Sequence, residues 1–230
     1  MSAVRRGGRV ALAVARKDAL AELRGRHATV STLFFAAVVL LLFGFALGPD
    51  SARLAAAAPG LLWLAVVFAG ILAVGRLHQL ETDDGALEQL AAYPVDRRAL
   101  YAGKALGGFA VMLVLVLVLL VAVGILFAVD VAAAPGPLLL TVVLGAAGIA
   151  AVGTFYAGLT VRLQAREVML PLLMLPVLAP LLLAAVKATA AGLAGDPFGE
   201  LGAWIGLLVA FDIIMIAAGT ATYGFLLEDG

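Results

Sequence analysis

The sequence predicts an all-α membrane protein with six transmembrane helices. Of its 230 residues, 64% are hydrophobic and 13% are charged, whereas a soluble globular chain has about 45–50% and about 25%. The apolar residues also form long runs, and a run of roughly 20 residues spans a bilayer core. Such a composition excludes a disordered chain, which would be poor in apolar residues. The absence of cysteine excludes disulfides and thiolate metal sites.

Six apolar runs define the predicted spans. Five of them contain no charged residue, and the last contains one, Asp212. An even number of spans places both termini on the same side of the membrane. The fifth run holds Pro171, Pro176 and Pro180, each of which removes a backbone hydrogen bond. The runs cover residues 30–47, 57–75, 105–129, 138–161, 168–186 and 201–227.

The distribution of the cations predicts the orientation. Fifteen Lys and Arg balance fifteen Asp and Glu, so the formal net charge is zero, and without a basic excess nucleic-acid binding is not expected. Thirteen of the fifteen cations fall before the first span, in the loop after the second and in the loop after the fourth. Only Arg53 and Lys187 fall on the other side. Because Lys and Arg concentrate in cytoplasmic loops, both termini are predicted to be cytoplasmic.

Residues 1–28 are predicted to form a cytoplasmic interfacial segment. A cleaved secretory signal is excluded, since Arg16, Lys17, Asp18 and Glu22 interrupt the apolar stretch that it would need. An amphipathic helix lying on the membrane surface fits the pattern, and an ordinary basic juxtamembrane stretch stays open as an alternative. The apolar residues that share one helix face are Leu12, Ala15, Ala19, Leu20 and Leu23.

The cytoplasmic loop at residues 76–104 is much the longest connection. Its first part is predicted to continue the second span as a polar stalk, which Asp83-Asp84-Gly85 then ends. A short amphipathic helix follows at residues 86–92, and Pro94 stops it. Held between two membrane helices, such a helix could transmit a cytoplasmic partner's motion to both. An ordinary solvated loop is the alternative.

Several short motifs lie between residues 47 and 94. They are Leu47-Gly48-Pro49-Asp50, Ala58-Pro59-Gly60-Leu61-Leu62-Trp63, Arg76-Leu77, Asp83-Asp84-Gly85, Leu87-Glu88-Gln89-Leu90 and Pro94. Together they resemble the CcmB family, the membrane permease subunit (haem exporter protein B) of the cytochrome c maturation ABC transporter. The acidic-Gly-Leu-Glu pattern of the loop is shared with many ABC-2 type permeases, whereas the first two motifs point to CcmB.

The resemblance implies an ABC-2 (type V exporter-like) permease architecture in one domain, residues 1–230, of a bacterial inner membrane. It implies a homodimer that works with a CcmA-like ATPase, CcmC-like and CcmD-like membrane subunits and a CcmE-like haem chaperone. The chain would couple ATP hydrolysis to haem delivery or to release of the loaded chaperone. The residues implied to contact the ATPase are Asp83, Asp84, Gly85, Leu87, Glu88, Gln89, Leu90 and Pro94.

The residues themselves predict neither an ATP site nor a haem site, so the chain is not expected to be an enzyme or to bind a cofactor. No GxxxxGK[ST] phosphate cradle is present, because Gly103-Lys104 lacks the rest of that motif. His27 and His78 both fall on the cytoplasmic side. The methionines of the spans (Met112, Met169, Met174 and Met215) are expected to pack rather than to ligate haem. ATP and haem are therefore assigned to partner subunits.

Three further features leave alternatives open. Asp212 predicts a polar contact within a dimer or with a partner helix, near Thr220 and Thr222; a proton relay or a shallower position are the alternatives. Small residues spaced four apart in the fourth span predict close helix packing, either internal or across a dimer. Residues 187–200 form either short re-entrant pieces or a plain outer loop.

Other function classes fit the sequence less well. An ABC-2 permease that exports another hydrophobic or lipid-linked substrate would share the cytoplasmic loop, and it is the main alternative. A secondary transporter should show several intramembrane ionisable groups and inverted repeats. The chain has one intramembrane acid and no evident repeat. An intramembrane hydrolase would need a histidine or paired acids within the spans.

Overall fold

The computed structural model describes residues 3–24, 26–83, 97–160 and 166–228, and gives side-chain environments for 7–17, 30–76, 98–159 and 169–222. Within these ranges the chain forms seven helices, and the described connecting residues are 48–50, 127–134 and 194–200. They are α1 (Ala3–Arg24), α2 (Arg26–Leu47), α3 (Ser51–Asp83), α4 (Arg97–Leu126), α5 (Pro135–Thr160), α6 (Arg166–Leu193) and α7 (Leu201–Glu228).

Six of these helices are long and apolar enough to cross a membrane, which confirms the predicted all-α class and number of spans. The third span begins at Arg98 and the fifth continues to Leu193, so both exceed the apolar runs that predicted them. Lys187 is exposed on α6, so the helix accommodates this cation without burying it. The spans cover Val30–Leu47, Ser51–Arg76, Arg98–Leu126, Pro135–Leu159, Met169–Leu193 and Leu201–Thr222.

Helices α3 and α5 form the centre of the bundle. In each of these two helices, 67% of the most apolar 18-residue stretch is buried, whereas the corresponding share in α2 and in α7 is 17%. Helix α5 packs against α3, α4, α6 and α7. The small residues that predicted close packing therefore serve an internal contact: Ala146, Ala150, Ala151 and Ala157 are all buried within this chain. Close approach of four neighbours requires this lack of side-chain bulk.

The turn between α2 and α3 explains the first family motif in structural terms. Gly48 has a φ of 76°, a left-handed conformation that glycine adopts without strain. Asp50 then caps α3, since its Oδ1 accepts hydrogen bonds from the backbone N–H groups of Ala52 and Arg53 at 3.0 and 3.3 Å. The Arg53 side chain also pairs with Asp50 Oδ2 at 3.1 Å. The motif thus ends one helix and starts the next.

The connection between α6 and α7 is a plain turn, so the alternative of re-entrant pieces in residues 187–200 is wrong. Helix α6 includes Lys187 and runs on to Leu193. Residues Gly195, Asp196 and Gly199 then take positive φ values. Asp196 Oδ1 accepts hydrogen bonds from the backbone N–H groups of Glu200 and Leu201 at 2.8 and 3.1 Å, which starts α7.

Helix α1 forms as predicted, and one of its faces packs on the bundle. Ala11 and Val14 are buried against the start of α4, whereas Leu12, on the face predicted to lie on the membrane surface, is 69% exposed. A Cβ placed on Gly103 would lie 2.7 Å from the Ala11 oxygen and 2.9 Å from Val14 Cβ. The small residues Ala11 and Val14 thus fit a glycine on α4, and contact of the opposite face with the membrane stays a prediction. The predicted residues Ala19, Leu20 and Leu23 have side chains outside the described part.

Candidate functional site

The predicted ATPase-coupling residues lie at the boundary of the described structure. Asp83 is the last described residue of α3, and its side chain is not among those described. That the stalk ends at Asp83-Asp84-Gly85 stays a prediction. The remaining seven residues, Asp84, Gly85, Leu87, Glu88, Gln89, Leu90 and Pro94, fall outside the described residues, as do the predicted short helix and its Pro94 stop. We call residues 84–96 the coupling segment; its role stays a prediction.

The two helices that flank the coupling segment are continuous with the membrane bundle. Helix α3 extends seven residues past Arg76, the end of its span, to Asp83; at 1.5 Å per residue this adds about 10 Å. Helix α4 begins at Arg97, directly after the segment, and continues to Leu126. Lys104, which the sequence placed in the loop, lies inside α4 and is buried. Two continuous helices, α3 and α4, therefore connect the coupling segment to the buried core of the bundle.

Tyr101 connects the base of α4 to two other helices. Its hydroxyl donates toward the backbone carbonyl of Ala151 on α5 at 3.2 Å, and the carbonyl of Met215 on α7 lies 3.5 Å away. Gly219 of α7 leaves room for the phenol ring, because a Cβ there would overlap it. Together with α1 on Gly103, this fixes the first two turns of α4 to three helices. The sequence neighbours of Tyr101, Leu100 and Ala102, do not indicate this role, because its partners lie on distant helices.

Trp63, the last residue of the second family motif, is a structural anchor within α3. Its ring is fully buried, and its Nε1 donates a hydrogen bond of 2.9 Å to Thr189 Oγ1 of α6. The Thr189 hydroxyl in turn donates to the carbonyl of Ala185 at 2.7 Å. Gly145 of α5 faces the indole so closely that a Cβ there would overlap it. The motif residue thus joins three helices, and it is not available to a ligand.

Asp212 lies near the middle of the α7 span, Leu201–Thr222, and its depth in a bilayer stays a prediction. The residue is 6% exposed, and a Cβ placed on Gly148 of α5 would lie 2.5 Å from its Oδ1. This oxygen has no hydrogen-bond partner among the described residues. The carboxylate therefore faces this chain's own α5. A polar contact with a second copy or a partner helix stays a prediction.

The hydroxyls expected near Asp212 are engaged elsewhere. Thr220 donates to the carbonyls of Ile216 and Ala217 at 2.8 and 3.0 Å. Thr222 donates to the carbonyl of Ala218 at 2.7 Å. Both hydroxyls satisfy their own helix, so neither forms a polar cluster with the acid.

The methionines of the spans lie where packing explains them. Met112, Met174 and Met215 are buried in the apolar core, and Met112 fills the space beside Gly70. Within the described ranges, no group of three or more His, Cys, Asp or Glu is placed to hold a metal ion. The side chains of His27 and His78 are outside the described part. That haem is handled by partners and not by this chain stays a prediction.

Comparisons with known proteins agree with the motifs and the six spans. The family model described as CcmB protein matches residues 9–226. Heme exporter protein B of Bradyrhizobium diazoefficiens is 30% identical over 208 residues, covering 90% of this chain and 92% of that protein. The Rhodobacter capsulatus protein of that name is 37% identical over 154 residues, 66% of this chain and 69% of its own. The Haemophilus influenzae one is 29% identical over 211 residues, 91% of both. The chain belongs to the CcmB protein family.

Proposed function

We propose that this chain is the transmembrane subunit of an ABC transporter for cytochrome c maturation. It couples ATP hydrolysis by a separate CcmA-like ATPase to haem delivery, or to release of the haem-loaded chaperone. The relatives named heme exporter protein B, which match most of the chain, support the assignment to haem export. The six spans support a multi-pass protein of the bacterial inner membrane. The chain has no ATP-binding motif, so the nucleotide sits on the partner.

The observation that carries this proposal is the continuity of α3 and α4 on the two sides of the coupling segment. The first extends past its span to Asp83, and the second begins at Arg97. A force applied to residues 84–96 by a docked ATPase reaches both helices without an intervening hinge in the described residues. Because α3 lies at the centre of the bundle, its displacement also moves the helices that pack on it.

The first two turns of α4 pass the movement of the coupling segment on to neighbouring helices. Helix α1 is fitted against Gly103, and the Tyr101 hydroxyl binds the backbone of α5. Interfaces packed this closely shift as units, because a well-packed core does not deform continuously. A tilt of α4 therefore carries α1 and α5 with it. The chain transmits the movement of the ATPase to the membrane helices. CcmC-like, CcmD-like and CcmE-like partners would handle the haem. Two copies with two ATPase subunits form the working assembly.

The test is a double substitution in the coupling segment, Leu87→Arg with Glu88→Arg. It replaces an apolar residue and an acid by two cations, which removes the surface expected to seat the ATPase. We expect the variant to insert normally, to lose co-purification with the cognate ATPase and to abolish c-type cytochrome formation, measured by haem staining. The matched control is Ala132→Arg with Ala133→Arg, two exposed positions in the turn between α4 and α5.

The possible outcomes are distinct. Normal holocytochrome levels in the Leu87/Glu88 variant would overturn the coupling role. Loss of holocytochrome with the ATPase still bound would overturn docking through this segment. Loss of ATPase binding with holocytochrome retained would mean that the chain is not the ATP-coupled subunit of this process, and the export of another hydrophobic substrate would then be the better hypothesis.

A further inference from the structure

A groove of 540 Å³ opens between α2, α3 and α6. It lies at the end of the bundle where α2 enters, α3 leaves and α6 enters the predicted membrane region. Most of its wall is apolar, with contributions from Phe35, Ile71, Leu72 and Pro171. Its volume falls within the roughly 300–1,000 Å³ of typical small-molecule sites. The predicted function does not use this groove.

Arg76 is the cation of the groove, and its hydrogen bonds to described residues do not compensate its charge. Its Nη2 donates to Thr32 Oγ1, and its Nε donates to the carbonyl of Leu72 at 3.3 Å. Both acceptors are neutral, and no described residue forms an ion pair with Arg76. A guanidinium carries five N–H donors, so three remain for a ligand. The geometry of a guanidinium suits a phosphate or a carboxylate.

The depth and the opening of the groove identify the kind of ligand that reaches it. Thr32 lies two residues into the first span, Arg76 ends the second, and Pro171 lies two residues into the fifth. Polar headgroups lie at this level of a bilayer. Phe35 and Leu72 are each 49% exposed, so the apolar wall opens sideways toward lipid. A ligand here meets a cation at the membrane surface and hydrocarbon alongside it.

We propose that this groove binds an anionic phospholipid, with the phosphate at Arg76 and part of an acyl chain along Phe35, Leu72 and Pro171. Free inorganic phosphate would use the cation alone and leave the apolar wall without a partner. The lipid fills both, and it joins α2 and α6 to the stalk of α3. This inference stands apart from the haem function, since neither the ATPase nor haem takes part in it.

The experiment measures lipid binding to the detergent-purified, delipidated full chain by native mass spectrometry. Phosphatidylglycerol is the anionic probe, and phosphatidylcholine is the zwitterionic comparison. We expect a preference for phosphatidylglycerol that Arg76→Gln weakens by about fivefold, as one cation near an anionic lipid contributes roughly that factor. The control Arg53→Gln removes an exposed arginine at the opposite end, which already pairs with Asp50. It should leave the preference unchanged.

A second variant keeps the proposal testable if Arg76→Gln does not fold. Leu72→Trp fills the groove without touching the charge, and it should lower phosphatidylglycerol binding while circular dichroism shows an intact helical protein. If Arg76→Gln fails to fold, Leu72→Trp alone decides the outcome. Unchanged binding in the folded variants, or no preference for the anionic lipid, would overturn the proposal. Displacement of the lipid by equimolar inorganic phosphate or by haem would also overturn it, because the groove would then serve a different anion.

Discussion

The contact between Gly145 and Trp63 makes the packing of the bundle directly testable. Gly145→Ala adds one methyl group, which would overlap the indole and lie 2.5 Å from Cζ3 and 3.1 Å from Cζ2. Trp63 has no free space to move into, since it is fully buried. Either the ring shifts or α5 moves away from α3. Both changes disturb the contact at the centre of the molecule.

The expected loss of stability follows from three contributions. Overpacking of a filled core costs about 1–3 kcal/mol. If the indole shifts, its Nε1 loses Thr189, and a buried donor left without a partner costs about 1–3 kcal/mol. Alanine favours a helix over glycine by about 1 kcal/mol, which offsets part of this. The free energy of unfolding should therefore fall by about 1–5 kcal/mol.

The assay is the thermal midpoint of helix loss, followed by circular dichroism in detergent. Gly206→Ala on α7 is the matched control, since no atom lies within 4 Å of the added Cβ. Trp63→Phe in the Gly145→Ala background should recover part of the loss, because the smaller ring leaves room for the methyl group. A Gly145→Ala variant as stable as Gly206→Ala, or a double variant less stable than both single variants combined, would refute the packing described for these helices.

Two further substitutions test the role of Asp212 in α7 and the packing of α1 against α4. Asp212→Asn should leave insertion intact and raise stability by about 1–3 kcal/mol, because it removes a buried charged oxygen that has no described hydrogen-bond partner. A lower thermal midpoint would indicate that the carboxylate has a stabilising partner. Gly103→Val should push α1 off α4, because its Cβ would meet Ala11 and Val14, and α1 should then be cleaved faster in limited proteolysis. The control Gly8→Val meets no atom within 4 Å, and equal cleavage of the two variants would contradict the packing of α1.

Elements that the bilayer dictates could be predicted from the sequence. A span must satisfy its own backbone hydrogen bonds and needs a long apolar run, so the six helices follow from local composition. The continuation of the second span as a polar stalk also follows from the local sequence, since no helix-breaking residue interrupts residues 76–83. The family followed from short motifs in the same half of the chain.

Elements that depend on distant partners could not be predicted. Spacing showed that α5 packs closely, but nothing local reveals that Gly145 faces Trp63 or that Gly148 faces Asp212. The apolar face of α1 could be recognised from the spacing of its leucines, but nothing local reveals that Ala11 and Val14 pack against Gly103. The groove at Arg76 is assembled from three helices far apart in sequence. The fit between side chains that lie far apart in the sequence cannot be read from any single stretch of the chain.

The crowding around α5 bears on how distant relatives of this chain can be found. Gly145 and Gly153 face Trp63 and Val74 of α3, and Gly148 faces Leu181 of α6 and Asp212 of α7. Substitutions on this helix are therefore restricted on several sides, while lipid-facing positions of α2 and α7 are free to exchange one apolar residue for another. A diverged homologue should keep the register of small residues in α5 long after its overall identity has faded. That register would identify the second half of the chain, where the short family motifs of the first half are absent.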